Sequence, residues 1–472
     1  MGDRVLRASI LAAIPLLAGA TAAALAAPTA TPITTWVGGV NAPSAVGYIE
    51  GAPIVAGGVI YGVLGNTPTG TTASYSGSVY ALTPPASGTT YTQATISSFT
   101  GGTGGGNPVG RLYADASGNL YGAASTGGTS ATACGPYGCG LIYKLTNSGG
   151  TWTRTTIYAF KGTTADGFNP VGDLIADSSG NLYGVTQGGD GCTPAGFYPT
   201  GCGIVFKLTP PASGNTYTET ILYSFKGTSD GALPSGSLAM DASGNLFGTT
   251  QFGGTAEELC GTLPSGLGDG RCGTVFELVY NSSTNSYTEK LLHMFTNGAD
   301  GSIPSYGAVI DKNGNIYGTT LQGGNAGACA DWGFSGCGVV WQMTKSSGYA
   351  TFNTIHAFGG NDGGTPAAIL INRKGRIFGN TSNNTAAETC TASAYYCGTA
   401  FELIPVGATW VENVLYKFSG SSNVLTGPQY GLAADTAGHL IGVSITANST
   451  EINSYAFVLG TAASGTLDLF HW

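Results

Sequence analysis

The sequence is poor in charge. Of 472 residues only 9% are Asp, Glu, Lys or Arg, and His occurs four times; an average soluble chain carries about 25% charged residues. The balance is negative, at −9, so no basic face is expected for a nucleic-acid partner. Low charge does not signal disorder here. Disordered chains are also short of aromatics, and this one has 24 Tyr, 18 Phe and 6 Trp. Beyond the first 26 residues no apolar run is long enough to span a membrane. Helical periodicity is missing there as well, since apolar residues do not recur at i, i+3 and i+4. No Cys precedes Cys134, which excludes lipid attachment at a mature N-terminal Cys.

Glycine is abundant, with 79 residues, and the composition reads as many short strands joined by Gly-rich turns. The N-terminus differs. Arg4 and Arg7 precede an apolar stretch, Ile10 to Ala26, that is broken by Pro15 and ends on Ala24-Leu25-Ala26. This is the pattern of a signal peptide over residues 1–26. The expected mature chain, 27–472, is then exported to the periplasm or the extracellular space.

One motif recurs, a hairpin of the form Asp-x-x-Gly-Asn-Leu-Tyr-Gly. Its first Gly falls at Gly58, Gly118, Gly180, Gly244, Gly314, Gly375 and Gly438. A fixed period of this kind marks a repeat architecture. Each repeat carries four strand signals. In the copy from Asp230 to Phe295 they are Ser237 to Asp241 (A), Asn245 to Thr250 (B), Thr274 to Leu278 (C) and Tyr287 to Phe295 (D). A long loop joins B to C, and a crossover leads from D to the next A. The pattern predicts an all-β chain, one seven-bladed β-propeller of four-stranded antiparallel blades. The D signature occurs once more than the others. Trp36 takes the slot held by Phe99, Phe160, Phe225, Phe295, Phe358, Phe418 and Trp472. Residues 32–36 are therefore expected to pair along blade seven, beside or in place of residues 466–472, and to close the ring.

Three segments carry a family resemblance: Asp177-Ser-Ser-Gly-Asn-Leu-Tyr-Gly184, Cys202-Gly-Ile-Val-Phe-Lys-Leu-Thr-Pro210 and Thr220-Ile-Leu-Tyr-Ser-Phe225. Together they resemble the GloVer tandem repeat of exported bacterial proteins, whose members often end in one of several surface-sorting ("choice-of-anchor") segments. The resemblance implies export and a propeller-like fold, and it brings no settled activity. This sequence departs from the anchored members, since it stops at Trp472 without such a tail, and both placements, at the cell surface or free outside the cell, stay open.

The ten Cys form five pairs, Cys134/Cys139, Cys192/Cys202, Cys260/Cys272, Cys329/Cys337 and Cys390/Cys397, one in each B–C loop of repeats two to six. Each loop offers two thiols and no His, too few ligands for structural zinc, so intra-loop disulfides are expected. No metal site and no cofactor are expected. His293 and His356 occupy a D-strand slot held elsewhere by Tyr158, Tyr223 and Tyr416 and read as packing variants. The hairpin Asp reads as a turn former.

A second acidic set, Asp166, Asp230, Asp300 and Asp362, lies in the D–A crossovers. Strand alternation puts these crossovers and the Cys-bearing loops on one face, together with loop aromatics such as Tyr198, Trp332 and Phe334. This face is the candidate ligand surface. Gly227-Thr-Ser229-Asp-Gly231 matches a nucleophile elbow in letters only, since no helix follows it. No catalytic centre is evident. The expected function is a non-enzymatic exported scaffold, monomeric, that binds a glycan, peptide or surface protein. The alternative is a propeller hydrolase or lyase acting on a polysaccharide or lactone, which would need two carboxylates in one cavity.

Overall fold

The hairpin motif dictates its own turn. Asp177 Oδ1 accepts the N–H groups of Ser179 and Asn181, at 2.9 and 3.0 Å, and Oδ2 accepts Asn181 Nδ2 at 2.7 Å and the Tyr183 hydroxyl at 3.0 Å. Asp115 and Asp311 hold the same four bonds. Burial alone would raise the carboxyls of Asp115 and Asp177, but these donated bonds outweigh it and hold both below the ordinary value.

The structure is a computed structural model and describes residues 29–37, 48–65, 75–86, 91–128, 134, 137–163, 166–189, 201–227, 229–254, 272–325, 329, 335–383, 397–418, 427–447 and 452–460. The expected signal peptide lies outside them. No helix among the described residues is long and apolar enough to cross a membrane.

Seven antiparallel sheets follow one another, with blades one to six spanning 48–99, 106–159, 168–224, 232–294, 308–357 and 364–417. In blades one to six the strands lie in chain order from inner A to outer D. Strand A is split in blades one and six, where both of its pieces pair strand B. In blade four the strands are Ala232–Met240, Leu246–Phe252, Thr274–Asn281 and Ser286–Met294. Strand A starts five residues earlier than the alternation pattern predicts. A bulge between Ser235 and Ala239 interrupts the period there, so the first half reads as a turn.

Blade seven is closed by the other end of the chain. Its strands Gly427–Ala434, Leu440–Ala447 and Ile452–Gly460 take Thr29–Val37 as their outer neighbour. The register runs antiparallel from Thr29 opposite Gly460 to Val37 opposite Asn453. The expected N-terminal clasp is present and, among the described residues, holds the outer position. Residues 466–472 lie outside the described residues.

The blades adhere through aromatics. Phe160, Phe225 and Phe358, at the ends of D strands, are buried and meet Phe206, Phe276 and Phe401 of the next blade, with ring centroids 5.4, 5.1 and 5.2 Å apart. Phe418 meets Phe457 in the same way at 5.0 Å. Edge-to-face pairs of this kind add about 0.5–1.5 kcal/mol each beyond area burial. The final Gly of the motif makes room for the receiving ring: a Cβ on Gly184 would collide with the Phe206 ring, and one on Gly248 with Phe276.

Around the axis the inner strands touch backbone to backbone. A Cβ on Gly51, Gly110 or Gly172 would run into the carbonyl oxygen of Gly110, Gly172 or Gly236 respectively, one blade further on. Gly110 and Gly172 both have φ of 73°, in the left-handed region that favours glycine.

Disulfides join Cys134 to Cys139 and Cys329 to Cys337. Cys202, Cys272 and Cys397 are disulfide-bonded as well; the residues expected to pair with them, Cys192, Cys260 and Cys390, lie outside the described residues. Mass-tagging of the unfolded mature chain after oxidising expression is expected to find no reactive thiol. More than one tag per chain would contradict the pairing.

Candidate functional site

The crossover carboxylates are placed by their own turns. Asp166 Oδ2 accepts the Lys161 N–H at 2.8 Å, and Asp230 Oδ2 accepts the Lys226 N–H and the Tyr223 hydroxyl, both at 2.9 Å. Asp300 accepts the Thr296 N–H and faces His293 Nε2 at 3.0 Å. Asp362 Oδ1 accepts the Gly359 N–H at 2.7 Å, and Oδ2 faces His356 Nε2 at 3.2 Å. The four Asp thus sit beside the outer D strands, one to a crossover. His293 and His356 do more than pack: they bond the crossover Asp as Tyr223 does. Burial would raise Asp300 and Asp362, but the His and N–H partners outweigh it and hold both carboxyls low.

On the far side of three of these Asp stands a Glu from the next blade's D strand. Burial, reinforced by Asp166, pushes Glu219 up to about 8. Burial and Asp230 raise Glu289 in the same way. Of the loop aromatics, Tyr198, Trp332 and Phe334 lie outside the described residues. Tyr137 is described; it is 42% exposed and stands edge-on to Tyr75 at 4.8 Å. The Gly227 to Gly231 segment is a crossover turn closed by Gly227 N–H to Gly231 C=O at 3.1 Å, and strand Ala232–Met240 follows.

The opposite face, formed by the A–B and C–D turns, carries grooves at blade junctions. One, of about 420 Å³, lies between blades five and six and includes Tyr317, Gln342, Lys374 and Trp410. Another, of about 560 Å³, lies between blades one and two beside Tyr61 and Trp152. In both a Trp of one blade stands edge-on to a Tyr of the blade before it, at 6.2 and 5.8 Å.

The axis holds a polar cluster that linear reading of the repeats missed. Arg111 donates its backbone N–H to Asp173 Oδ1 at 2.7 Å, and its Nε lies 3.9 Å from Asp173 Oδ2. Its Nη2 reaches the Leu432 carbonyl of blade seven at 3.3 Å. One guanidinium thereby links blades seven, two and three across blade one. Nearby, Glu50 receives the Tyr430 hydroxyl at 3.5 Å. Burial pushes the Glu50 carboxyl up to about 7, against the lowering effect of that bond. The Arg111 and Asp173 side chains are 24% and 22% exposed, so water reaches this site. The signal was obscured because the same inner-strand slot holds Glu50, Gly110, Gly172, Gly236, Tyr306, Ala367 and Tyr430 in successive blades.

A raised carboxyl gives a signed pH effect. The contribution of neutral Glu50 is fully present below its ordinary value of 4.5 and is lost as pH rises through about 7. Glu50→Gln should therefore melt progressively higher than the wild type from pH 4.5 to 8, gaining about 2–4 °C at the alkaline end. A difference that stays constant across a pH series of melting curves would show that Glu50 is not buried as described.

Comparison with known proteins adds a family. Residues 48–265 match the Gloeobacter/Verrucomicrobia repeat, a span covering blades one to three and the first half of blade four. The same hairpin continues to blade seven. No curated protein matches the chain. Solved structures similar to it include a protein of unknown function from Dyadobacter fermentans DSM 18053, at 12% identity, covering 91% of this chain and 99% of that one with a TM-score of 0.41. Trypanosoma rangeli sialidase is 9% identical, covering 88% and 55%, with a TM-score of 0.38. A glucose dehydrogenase is 11% identical, covering 92% and 100%, with a TM-score of 0.41. Nothing about activity follows at these scores. Residues 48–265 thus carry the Gloeobacter/Verrucomicrobia repeat, within a chain of seven four-stranded blades.

Proposed function

We propose that residues 27–472 form one exported, non-enzymatic propeller domain that binds a glycan, peptide or surface protein on the face of its crossovers and B–C loops. One contrast carries this reading. The strands and hairpins repeat closely from blade to blade, whereas the five Cys-closed loops on that face differ in length and sequence, as in Cys192 to Cys202 against Cys329 to Cys337. A rigid scaffold presenting varied loops on one side is the arrangement that binding surfaces use. The crossover Asp support a scaffold role for themselves, because each is engaged by N–H groups of its own turn. Disulfides in the loops agree with an oxidising compartment.

Glycan-array and secretome pull-down experiments on the purified mature protein test the proposal. Replacing Trp332 and Phe334 together with Ala should weaken captured binding about tenfold or more while moving the melting temperature by less than about 2 °C. A large loss of stability would place both rings in the core and remove this loop from the binding face.

The axial cluster favours a second reading, a hydrolase or lyase acting on a polysaccharide or lactone. A buried carboxyl raised toward neutrality beside a Tyr hydroxyl is the kind of group acid–base catalysis uses. Turnover of such substrates that disappears in Glu50→Gln would establish this reading over the first.

A further inference from the structure

We propose that His356, Asp362 and Glu412 form a binding site for a divalent transition-metal ion, Zn²⁺ in the first instance, at the outer junction of blades five and six. The three residues come from three elements: strand Phe352–Ala357 of blade five, the crossover that follows it, and strand Thr409–Lys417 of blade six. His356 Nε2 lies 3.2 Å from Asp362 Oδ2 and 3.8 Å from Glu412 Oε2. All three donor atoms fall within 4.8 Å of one another. Zinc bonds of about 2.0–2.2 Å to N and O place tetrahedral neighbours about 3.4 Å apart, so small side-chain rotations seat an ion among them.

The ligands are supported from behind, as metal ligands require. The Gly359 N–H holds Asp362 Oδ1 and leaves Oδ2 toward the imidazole. The His356 ring stands edge-on to Phe358 at 4.6 Å. Glu412 Oε1 is buried and has no hydrogen-bond partner. Two carboxylates against one imidazole leave an excess of negative charge, and the nearby Lys417 amine donates to the Asn361 carbonyl at 2.8 Å. The side chains of His356, Asp362 and Glu412 are 18%, 24% and 13% exposed, so solvent reaches the site and can fill a fourth position.

The other junctions serve as internal controls. The same three slots hold Tyr158, Asp166 and Glu219 between blades two and three, and Tyr223, Asp230 and Glu289 between blades three and four. Between blades four and five they hold His293, Asp300 and Phe352, whose ring stacks on His293 at 3.8 Å. Among the described residues, His, Asp and Glu coincide only at the junction of blades five and six. A Tyr is therefore already tolerated in the His slot by this fold.

The experiment uses mature protein freed of any His tag and dialysed against chelator, titrated with ZnCl₂ by calorimetry and with CoCl₂ by visible absorption. The wild type should bind one ion per chain with micromolar or tighter affinity, and its melting temperature should rise by about 2–5 °C in excess metal. His356→Tyr and Glu412→Gln should each weaken binding about tenfold or more and abolish the cobalt spectrum, with metal-free melting temperatures close to the wild type. No binding by the wild type, or equal binding by the wild type and a folded variant, would overturn the site. Should His356→Tyr not fold, the near-isosteric Glu412→Gln decides alone.

Discussion

Deletion of residues 27–37 is expected to lower the melting temperature of the mature protein by about 5–10 °C and to open blade seven to proteolysis. The strand Thr29–Val37 is the outer member of that blade among the described residues, and it pairs antiparallel with Asn453–Gly460 with one register shift between Pro32 and Thr34. Its removal leaves the backbone groups of Ile452–Gly460 unpaired along a full edge, and a bare edge is both less stable and prone to pair with other chains. Ladder bonds contribute roughly 0.5–1.5 kcal/mol each, so losing a ladder of this length outweighs the ordering entropy recovered. Blade seven would then be held in the ring by packing alone, through contacts such as Phe418 on Phe457. Limited proteolysis with mass spectrometry should place the first cuts between residues 427 and 460. A truncated chain that melts like the full mature protein would show that the clasp contributes nothing to closure.

Gly172→Ala is expected to cost more than about 3 kcal/mol, whereas Gly180→Ala costs about 1. Both glycines have positive φ, 73° and 78°, so the backbone penalty for adding a Cβ is similar. Their surroundings differ. Gly180 stands at a hairpin tip with only the Pro210 ring 4.0 Å away. A Cβ on Gly172 would overlap the backbone of Gly236 in the next blade. The inner strands meet here without side chains, and backbone cannot rotate aside as a side chain does. The substitution must push blade three away from blade four and disturb the blade interface beyond it. Denaturant unfolding of the two variants measures the difference directly. Equal midpoints would show that the inner strands have slack at the axis.

Much of the fold was legible because the repeat states it seven times. The Asp-x-x-Gly-Asn turn, the terminal aromatic of strand D and the surplus N-terminal copy of that aromatic each had a local sequence signature, and each led to the correct neighbour. The candidate site was less legible, for two physical reasons. Crossover Asp-Gly pairs look alike whether they serve a turn or a ligand, and only the geometry shows that the N–H groups of Lys161, Lys226, Thr296 and Gly359 are their partners. The axial and junction clusters are assembled across blades. Arg111 meets Leu432, and Glu412 joins His356 and Asp362, through ring closure and blade stacking, which no linear spacing encodes. The zinc reading of the sequence looked for ligands within one loop, and the junction cluster spans two blades.

The clasp also bears on how the molecule is made. A chain that emerges amino end first releases Thr29–Val37 long before the edge it will cover exists. That strand has to remain unpaired while the other six blades form, and its pairing with Ile452–Gly460 joins residues at the greatest sequence separation in the sheet system. Contacts of this kind raise contact order and slow folding, because the loop entropy is spent before the contact forms. Ring closure should accordingly be the last and slowest step of refolding. A circularly permuted chain in which Gly460 runs through a short turn into Thr29 would convert that distant pairing into a local hairpin, and closure would then compete on equal terms with the formation of any other blade.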